Sequence, residues 1–387
     1  RPYSVMDIII AKKNPFVLCS GDDSVIHIYD LDTFEEINSL KGHEQSVSGI
    51  CLSDNDKYLF SISYDDSLMI WDTETGKMNH RIENIDLPSA IEYFSDGIQN
   101  LIVIGSAGDY SIRFYDLNGK LIYKNILHSD YINQITTHYA SKGVYSVSDD
   151  KKIIFWDNKG SGSVIMNSYQ GVTAFTVTPD NNFFIFGGDK NQVEVWDTGT
   201  FSLITRYTIY DPVTSLATSP DNKWLIIGDQ FHIYAVDLNN LKNSQPILIF
   251  ELNEPLKKVV FNPNKPNSFY VVSIGRGIHY FEIMSPEIAN ELILSKSIGT
   301  KEEYEDIPLK NVIYDEKSDD LTINHMEQIK KDILIEYEII ENSIKNIVKI
   351  IQNIPEEDLV KVQNLINNMK ELKSSTQKGK ELLKVDS

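Results

Sequence analysis

Three sets of side chains in this sequence have types that could do chemistry. Acidic doublets stand at Asp22-Asp23, Asp65-Asp66 and Asp149-Asp150, and paired carboxyls are what general acid–base catalysis uses when the environment separates their pKa values. Eight histidines (His27, His43, His80, His128, His138, His232, His279 and His325) could relay protons or hold a metal. Two cysteines, Cys19 and Cys51, could act as nucleophiles or ligands. Spacing argues against all three uses. The histidines are scattered and form no ligand spacing with one another, with cysteine or with glutamate, so no zinc cluster is expected. No Gly-rich phosphate loop ends in Lys-Ser/Thr, and no Gly-x-Ser-x-Gly elbow occurs. Both cysteines lie in apolar, strand-like runs, which predicts buried free thiols in a reducing compartment. The expectation is a protein that is not an enzyme, with no catalytic residue, no metal and no cofactor.

The elements that would position these residues announce themselves as a repeat. An aromatic or apolar residue followed by an acid closes a short apolar segment at Tyr29-Asp30, Trp71-Asp72, Tyr115-Asp116, Trp156-Asp157 and Trp196-Asp197, with decayed copies at Val236-Asp237 and Phe281-Glu282. Successive anchors are 42, 44, 41, 40, 40 and 45 residues apart, the period of a four-stranded propeller blade. The second unit shows the grammar. Ser46 to Leu52, Tyr58 to Ser63, Ser67 to Trp71 and Lys77 to Ile82 read as strands, with turn residues at Ser53-Asp54-Asn55-Asp56, Asp65-Asp66 and Thr73-Glu74-Thr75-Gly76. Four-stranded sheets of this kind bury both faces only by packing radially on their neighbours.

These residues resemble the WD-repeat (transducin β-like) propeller family over about residues 3–298. The resemblance implies an all-β, seven-bladed β-propeller. It also implies a hydrogen-bonded His–Ser–Asp–Trp tetrad in the blades, which two units match: His43, Ser63, Asp65 and Trp71, and His128, Ser148, Asp150 and Trp156. One member of each acidic doublet is then structural. In the family, partners dock on loops between blades and on turns between second and third strands. Carried onto this chain, the loops supply Glu44, Asp86, Asp130, Tyr131, Tyr169, Tyr210, Asp211 and Glu254, and the turns Asp22, Tyr64, Asp149, Asp189 and Asp229. Ring closure has two readings: Glu291 to Ile298 fills the outer place of the seventh blade, or an N-terminal strand does.

The grammar changes after the propeller, expected over residues 1–299. Residues 300–323 form an acidic linker; within 301–320 eight acids face three lysines. A helical hairpin or coiled coil is expected over 324–373. Asn324 and Glu327 suit a helix start, and Ile333, Tyr337, Ile340, Ile344, Ile347 and Ile351 make an apolar stripe at heptad-like spacing. Pro355 opens a second helix, and 374–387 reads as a disordered tail.

Net charge is −20, from 56 acidic and 36 basic residues, which disfavours broad contact with nucleic acid or anionic membrane. No apolar run reaches the ~20 residues that span a bilayer. Arg1 to Ile10 lacks the apolar core of a signal peptide, and an opening Arg in place of Met suggests a trimmed or partial chain. The functional expectation is a scaffold subunit of a multiprotein complex. Its propeller face would take a basic, partly hydrophobic peptide or helix, and its C-terminal helices a second protein. The alternatives are a ubiquitin-ligase substrate receptor and an RNA-processing or ribosome-assembly subunit. The receptor reading is weakened because Asp32, Glu74, Asn118, Asn158 and Gly199 follow the anchors, where one receptor class has Arg. Cytoplasmic residence is expected, with the nucleus as alternative.

Overall fold

The computed structural model describes residues 3–138, 143–274, 277–283 and 292–298. They form twenty-eight strands in seven antiparallel four-stranded sheets, each made of four consecutive strands. The second blade shows how closely sequence periodicity places the elements: β5 (Val47–Leu52), β6 (Tyr58–Ser63), β7 (Leu68–Asp72) and β8 (Met78–Ile82). Buried residues line both faces of the two inner strands, whereas the outer strand is largely exposed. That difference follows from position, since only the outermost strand of a blade faces water.

Seven apolar clusters hold the ring, one at each interface between neighbouring blades. The cluster that joins Val5, Ile8, Val17 and Cys19 to Tyr270, Val272 and Ile278 closes the seam between the first and seventh blades. The seventh blade is β25 (Leu256–Asn262), β26 (Lys265–Ser273), β27 (Gly277–Ile283) and β28 (Leu292–Ile298), in that order. Ring closure therefore uses the segment ending at Ile298 as the outer strand, the first of the two readings above. Both cysteines are buried free thiols, and burial pushes their pKa values up.

A small irregularity recurs at the innermost strand of six blades. The pairing of first and second strands slips around Met6, Ser48, Ser89, Asn133, Thr173 and Lys257, a bulge that leaves one residue unpaired. Four of these residues reach the next blade. Ser48 donates to the Pro88 carbonyl at 3.2 Å, Ser89 to Ile132 at 2.7 Å, Asn133 to Val172 at 2.8 Å, and Thr173 to Val213. The position after the bulge adds a second bridge: Asp7 accepts from the Ile50 amide and Gln134 pairs with both backbone groups of Phe175; Ser215, in the sixth blade, where the pairing does not slip, accepts from Val259. Lys258 pairs with Asp7 across the seam. Blades are thus stitched by polar contacts around the axis as well as by apolar contacts between their faces.

The described residues belong to the first of two units in the chain, Arg1–Glu302. The expected linker (300–323), helical region (324–373, with its stripe Ile333 to Ile351) and tail (374–387) lie outside the described residues. Among the described residues no helix is long and apolar enough to cross a membrane.

Candidate functional site

In the second blade the His43 imidazole sits between Asp65, 3.0 Å from Nδ1, and the Ser61 hydroxyl, 2.8 Å from Nε2. The Trp71 indole donates to the same hydroxyl at 2.9 Å. The fourth blade repeats the arrangement: His128 lies 3.0 Å from Asp150 and 2.7 Å from Ser146, which also accepts from Trp156 at 2.7 Å. One proton assignment satisfies every member: indole N–H to serine, serine O–H to Nε2, and Nδ1–H to carboxylate. The imidazole is then neutral. Burial holds both histidines below their usual range against the pull of the neighbouring aspartate. Burial also opposes ionisation of Asp65 and Asp150. Hydrogen bonds from Ser67 and the Glu44 amide, and from the Lys152 and Ser129 amides, outweigh it and hold both carboxyls below the usual range.

The serine of each relay differs from the expected one. Ser63 donates to the Gln45 carbonyl at 2.9 Å, and Ser148 to the Asp130 carbonyl at 3.2 Å. Strand register explains the correction. Leu59 pairs with Trp71 and Val144 with Trp156, so Ser61 and Ser146 lie diagonally across from the indoles. Ser63 and Ser148 lie one pleat further along, at the turn, where they pin the loop that enters the blade. Ser106 does the same to the Asp86 carbonyl in the third blade.

Other blades fill the relay position differently. Asp23 holds His27 of its own hairpin at 3.1 Å, with Tyr3 stacked on the ring at 4.0 Å. Asp109 binds Arg113 at 2.7 Å and Lys124 at 2.8 Å. Burial works against that carboxylate, but the bonds from Lys124, Ser111 and Ser106 hold it far below the usual range. In the fifth blade the buried Glu194 accepts from Trp196 at 2.7 Å and pairs with Arg206 at 2.8 Å, while buried Gln170 occupies the loop.

The loops between blades and the turns between second and third strands meet at one end of the blades. Backbone bonds show it: Tyr64 N–H to Ser46 at 3.1 Å, Asp149 to Tyr131 at 3.1 Å, and Asp189 to Gly171 at 3.3 Å. Of the expected docking residues, Asp22, Glu44, Tyr64, Asp86, Asp130, Tyr131, Asp149, Tyr169, Asp189 and Tyr210 are exposed. Asp211 and Glu254 are half-buried. Asp229 is a correction, because its carboxylate is fully buried and bonded internally, to the Phe231 and His232 amides and the Tyr234 hydroxyl. It belongs to the scaffold. It is also 2.9 Å from His232 Nδ1, with Asp211 at 3.8 Å, so the structure gathers three potential metal ligands that sequence spacing did not group. The missed signal was Asp211, which comes from the preceding loop, 18 residues before Asp229.

The exposed residues divide by charge. Over the fifth blade the acids and tyrosines have basic neighbours: Lys190 lies 3.7 Å from Asp189, and Arg206 stacks 5.3 Å from the Tyr169 ring. Glu44 pairs with Arg81 at 3.2 Å. Asp86, Asp130 and Asp149 have no such ion pair among the described residues, and Tyr64, Leu87 and Tyr131 are exposed beside them. Burial raises the Tyr131 phenol, and nearby Tyr64 and Asp149 add to the rise, so these three sit within electrostatic reach of one another.

Sequence and structure comparisons match this geometry. A family model described as WD domain, G-beta repeat matches residues 34–72 and 119–157, the units that end at Trp71-Asp72 and Trp156-Asp157. Protein tipD of Dictyostelium discoideum is 25% identical over 225 residues, 54% of this chain and 35% of that protein. Pre-mRNA-processing factor 17 of Saccharomyces cerevisiae is 24% identical over 275 residues, 66% of this chain and 59% of that protein. The chain thus spans between a third and three-fifths of these curated relatives. The crystal structure of RRP9 WD40 repeats superposes with a TM-score of 0.63 at 11% identity, covering 70% of this chain and 88% of that one, a likeness of fold.

Proposed function

The chain belongs to the WD-repeat β-propellers, and on that basis we propose that it is a non-catalytic docking platform whose face over the second to fourth blades takes a basic, partly apolar segment of a protein partner. One observation carries this reading: Asp86, Asp130 and Asp149 stand without basic partners among the described residues, beside exposed Tyr64, Leu87 and Tyr131. Unpaired carboxylates select Lys or Arg, and tyrosine supplies contact area with a hydroxyl at its tip. The catalytic alternative lacks support because the acidic doublets are spent on structure: Asp65 and Asp150 in the relays, Asp23 on His27.

The favoured setting is an RNA-processing assembly, since a pre-mRNA-processing factor aligns with 66% of the chain. Nuclear residence goes with that setting, in place of the cytoplasmic residence expected from sequence. Heptad spacing alone supports a second contact through Ile333, Tyr337, Ile340, Ile344, Ile347 and Ile351. The test is co-purification and mass spectrometry of wild type beside an Asp86→Lys, Asp130→Lys double variant. The variant loses part of the partner set while its unfolding midpoint stays within error of wild type. An unchanged partner set refutes the docking face. Ile340→Asp with Ile347→Asp removes a different subset if the stripe binds separately.

A further inference from the structure

We propose that Asp211, Asp229 and His232 form a site for one divalent transition-metal ion, with zinc the best fit, where the fifth blade joins the sixth. The three residues come from three short pieces of chain. Asp211 lies in the loop between β20 (Leu203–Thr208) and β21 (Ser215–Thr218), Asp229 follows β22 (Trp224–Gly228), and His232 opens β23 (His232–Asp237). One ligand atom from each lies within 4.8 Å of the others. His232 Nδ1 is 3.2 Å from Asp229 Oδ2 and 3.8 Å from Asp211 Oδ2. Tetrahedral zinc with bonds of about 2.0–2.1 Å sets its ligands roughly 3.3 Å apart, so the His232–Asp229 spacing already fits and Asp211, half-buried in a loop, is the ligand that must close in on the other two.

Charge supplies a second argument, independent of distance. Each buried or half-buried acid at the matching place in other blades has a basic side chain: Arg81 at 3.8 Å from Asp65, Arg113 and Lys124 at 2.7 and 2.8 Å from Asp109, Lys152 at 3.4 Å from Asp150. Asp229 is fully buried, and among the described residues neither it nor Asp211 has an ion pair with Lys or Arg. Their shared partner is one imidazole nitrogen, which carries one proton at most and faces three carboxylate oxygens. A metal ion at that point meets Nδ1 and both carboxylates at once. Asp229 Oδ1 accepts from the Phe231 and His232 amides at 3.0 and 2.7 Å and Oδ2 from the Tyr234 hydroxyl and the Asp211 amide at 3.0 and 3.3 Å, so Oδ2, with the longer pair of bonds, is the ligand atom. Tyr234 donates to Oδ2 at 3.0 Å and so orients the carboxylate, the role outer-shell partners play around metals.

The donor set selects the ion. Imidazole nitrogen with two carboxylates suits zinc and its neighbours and disfavours calcium and magnesium, which prefer all-oxygen shells. Three protein ligands leave a fourth position for water or an incoming side chain. Exposed Tyr210, its ring 5.2 Å from that of His232, borders the cluster.

The experiment is calorimetric titration of the chelator-stripped full chain with zinc chloride, with cobalt(II) absorption as a report of tetrahedral geometry. Asp211→Asn is the informative variant, because among the described residues the Asp211 side chain makes no hydrogen bond, only the 3.8 Å contact with His232, and the metal-free variant should unfold at the wild-type midpoint. The expected result is one zinc per chain and a thermal midpoint that rises with zinc. Affinity falls at least tenfold in Asp211→Asn, the scale that even outer-shell losses reach, and further in His232→Gln. Absence of saturable zinc binding by wild type overturns the site. So does equal affinity in wild type and Asp211→Asn, which would place the ion elsewhere. Neither result touches the docking face over the second to fourth blades.

Discussion

The second and fourth blades hold their loops and sheets together with one buried relay, whereas the fifth and sixth reach the same fold with unrelated side chains. In the former a neutral imidazole joins an aspartate to a serine and an indole. In the fifth, Glu194 takes the indole directly and Arg206 balances its charge. In the sixth, Asp229 turns to a histidine and a tyrosine of its own hairpin. The difference teaches that the propeller needs a satisfied polar cluster at this place, not a particular one: an unpaired buried group is what costs stability. The relay blades commit their aspartates to structure, while the sixth blade leaves two carboxylates converging on one imidazole nitrogen.

The largest expected break in this comparison is at the two tryptophans. Trp156 is fully buried and anchors its relay, while Trp196 is half-buried and stacks on Phe184 at 6.2 Å. Trp156→Ala should cost about 3–5 kcal/mol, from lost burial plus the cavity left behind. Trp196→Ala should cost clearly less, because water already reaches part of its ring. Urea midpoints at constant slope decide it; equal losses would mean that the relay adds nothing to burial.

A second difference lies at the last residue of the second strand. Ser148 ends β14 (Gly143–Ser148) and donates to the entering loop, whereas Gly188 ends β18 (Phe183–Gly188). A Cβ placed on Gly188 would stand 1.7 Å from the Gly171 carbonyl oxygen, a backbone atom that cannot swing away. Gly188→Ser should therefore cost about 3 kcal/mol, the upper end of ordinary overpacking. Ser148→Gly should cost about 1 kcal/mol for two lost hydrogen bonds, to the Asp130 carbonyl and from the Asp150 amide, beside an exposed loop. Similar losses from the two exchanges would show that the loops approach their sheets alike.

Much of this fold could be read from the chain alone, and the limits have physical causes. Aromatic–acidic anchors at 40–45 residues specify seven blades because each repeat must present the same turns and the same apolar alternation. The relay histidines and aspartates were legible for the same reason. The serines were not, because Ser61 and Ser63 point to the same side of β6 and only the register with β7 tells which one the indole reaches. The substitute clusters were hidden further, since Glu194 with Arg206 and Asp211 with Asp229 meet across turns of varying length. Loop position separates exposed Asp130 from buried Asp229 poorly, because both are acids at loop ends.

A serine exchange tests the register directly. Ser146→Ala leaves both the Trp156 indole N–H and His128 Nε2 without a partner in a dry site and should cost about 2 kcal/mol, within the range for orphaned buried groups. Ser148→Ala should cost about half as much, since the Asp130 carbonyl it releases lies at an exposed loop and can turn to water. Reversed costs would return Ser148 to the relay and remove Ser146 from it.

The smallest effect expected is in the pH dependence, and it separates a histidine relay from an arginine one. Burial lowers the pKa of His128 in the folded chain, so the neutral imidazole stabilises the fold above the unfolded value of about 6.5, and that stability is lost as pH falls through the folded value. His128→Gln lacks this dependence. The stability gap between wild type and His128→Gln should narrow as pH falls from 7.5 to 5.5, by a few tenths of a kcal/mol to about 1 kcal/mol. In the third blade the matching pair is Asp109 with Arg113, where the carboxyl lies far below its usual range and the guanidinium stays charged. The gap between wild type and Arg113→Gln should therefore stay flat over the same window. Glu92, which burial raises to about 7, titrates in every one of these proteins and cancels in the differences. Parallel slopes for the two variants would mean that His128 is not held neutral, and the proton assignment Trp–Ser–His–Asp would have to be reversed.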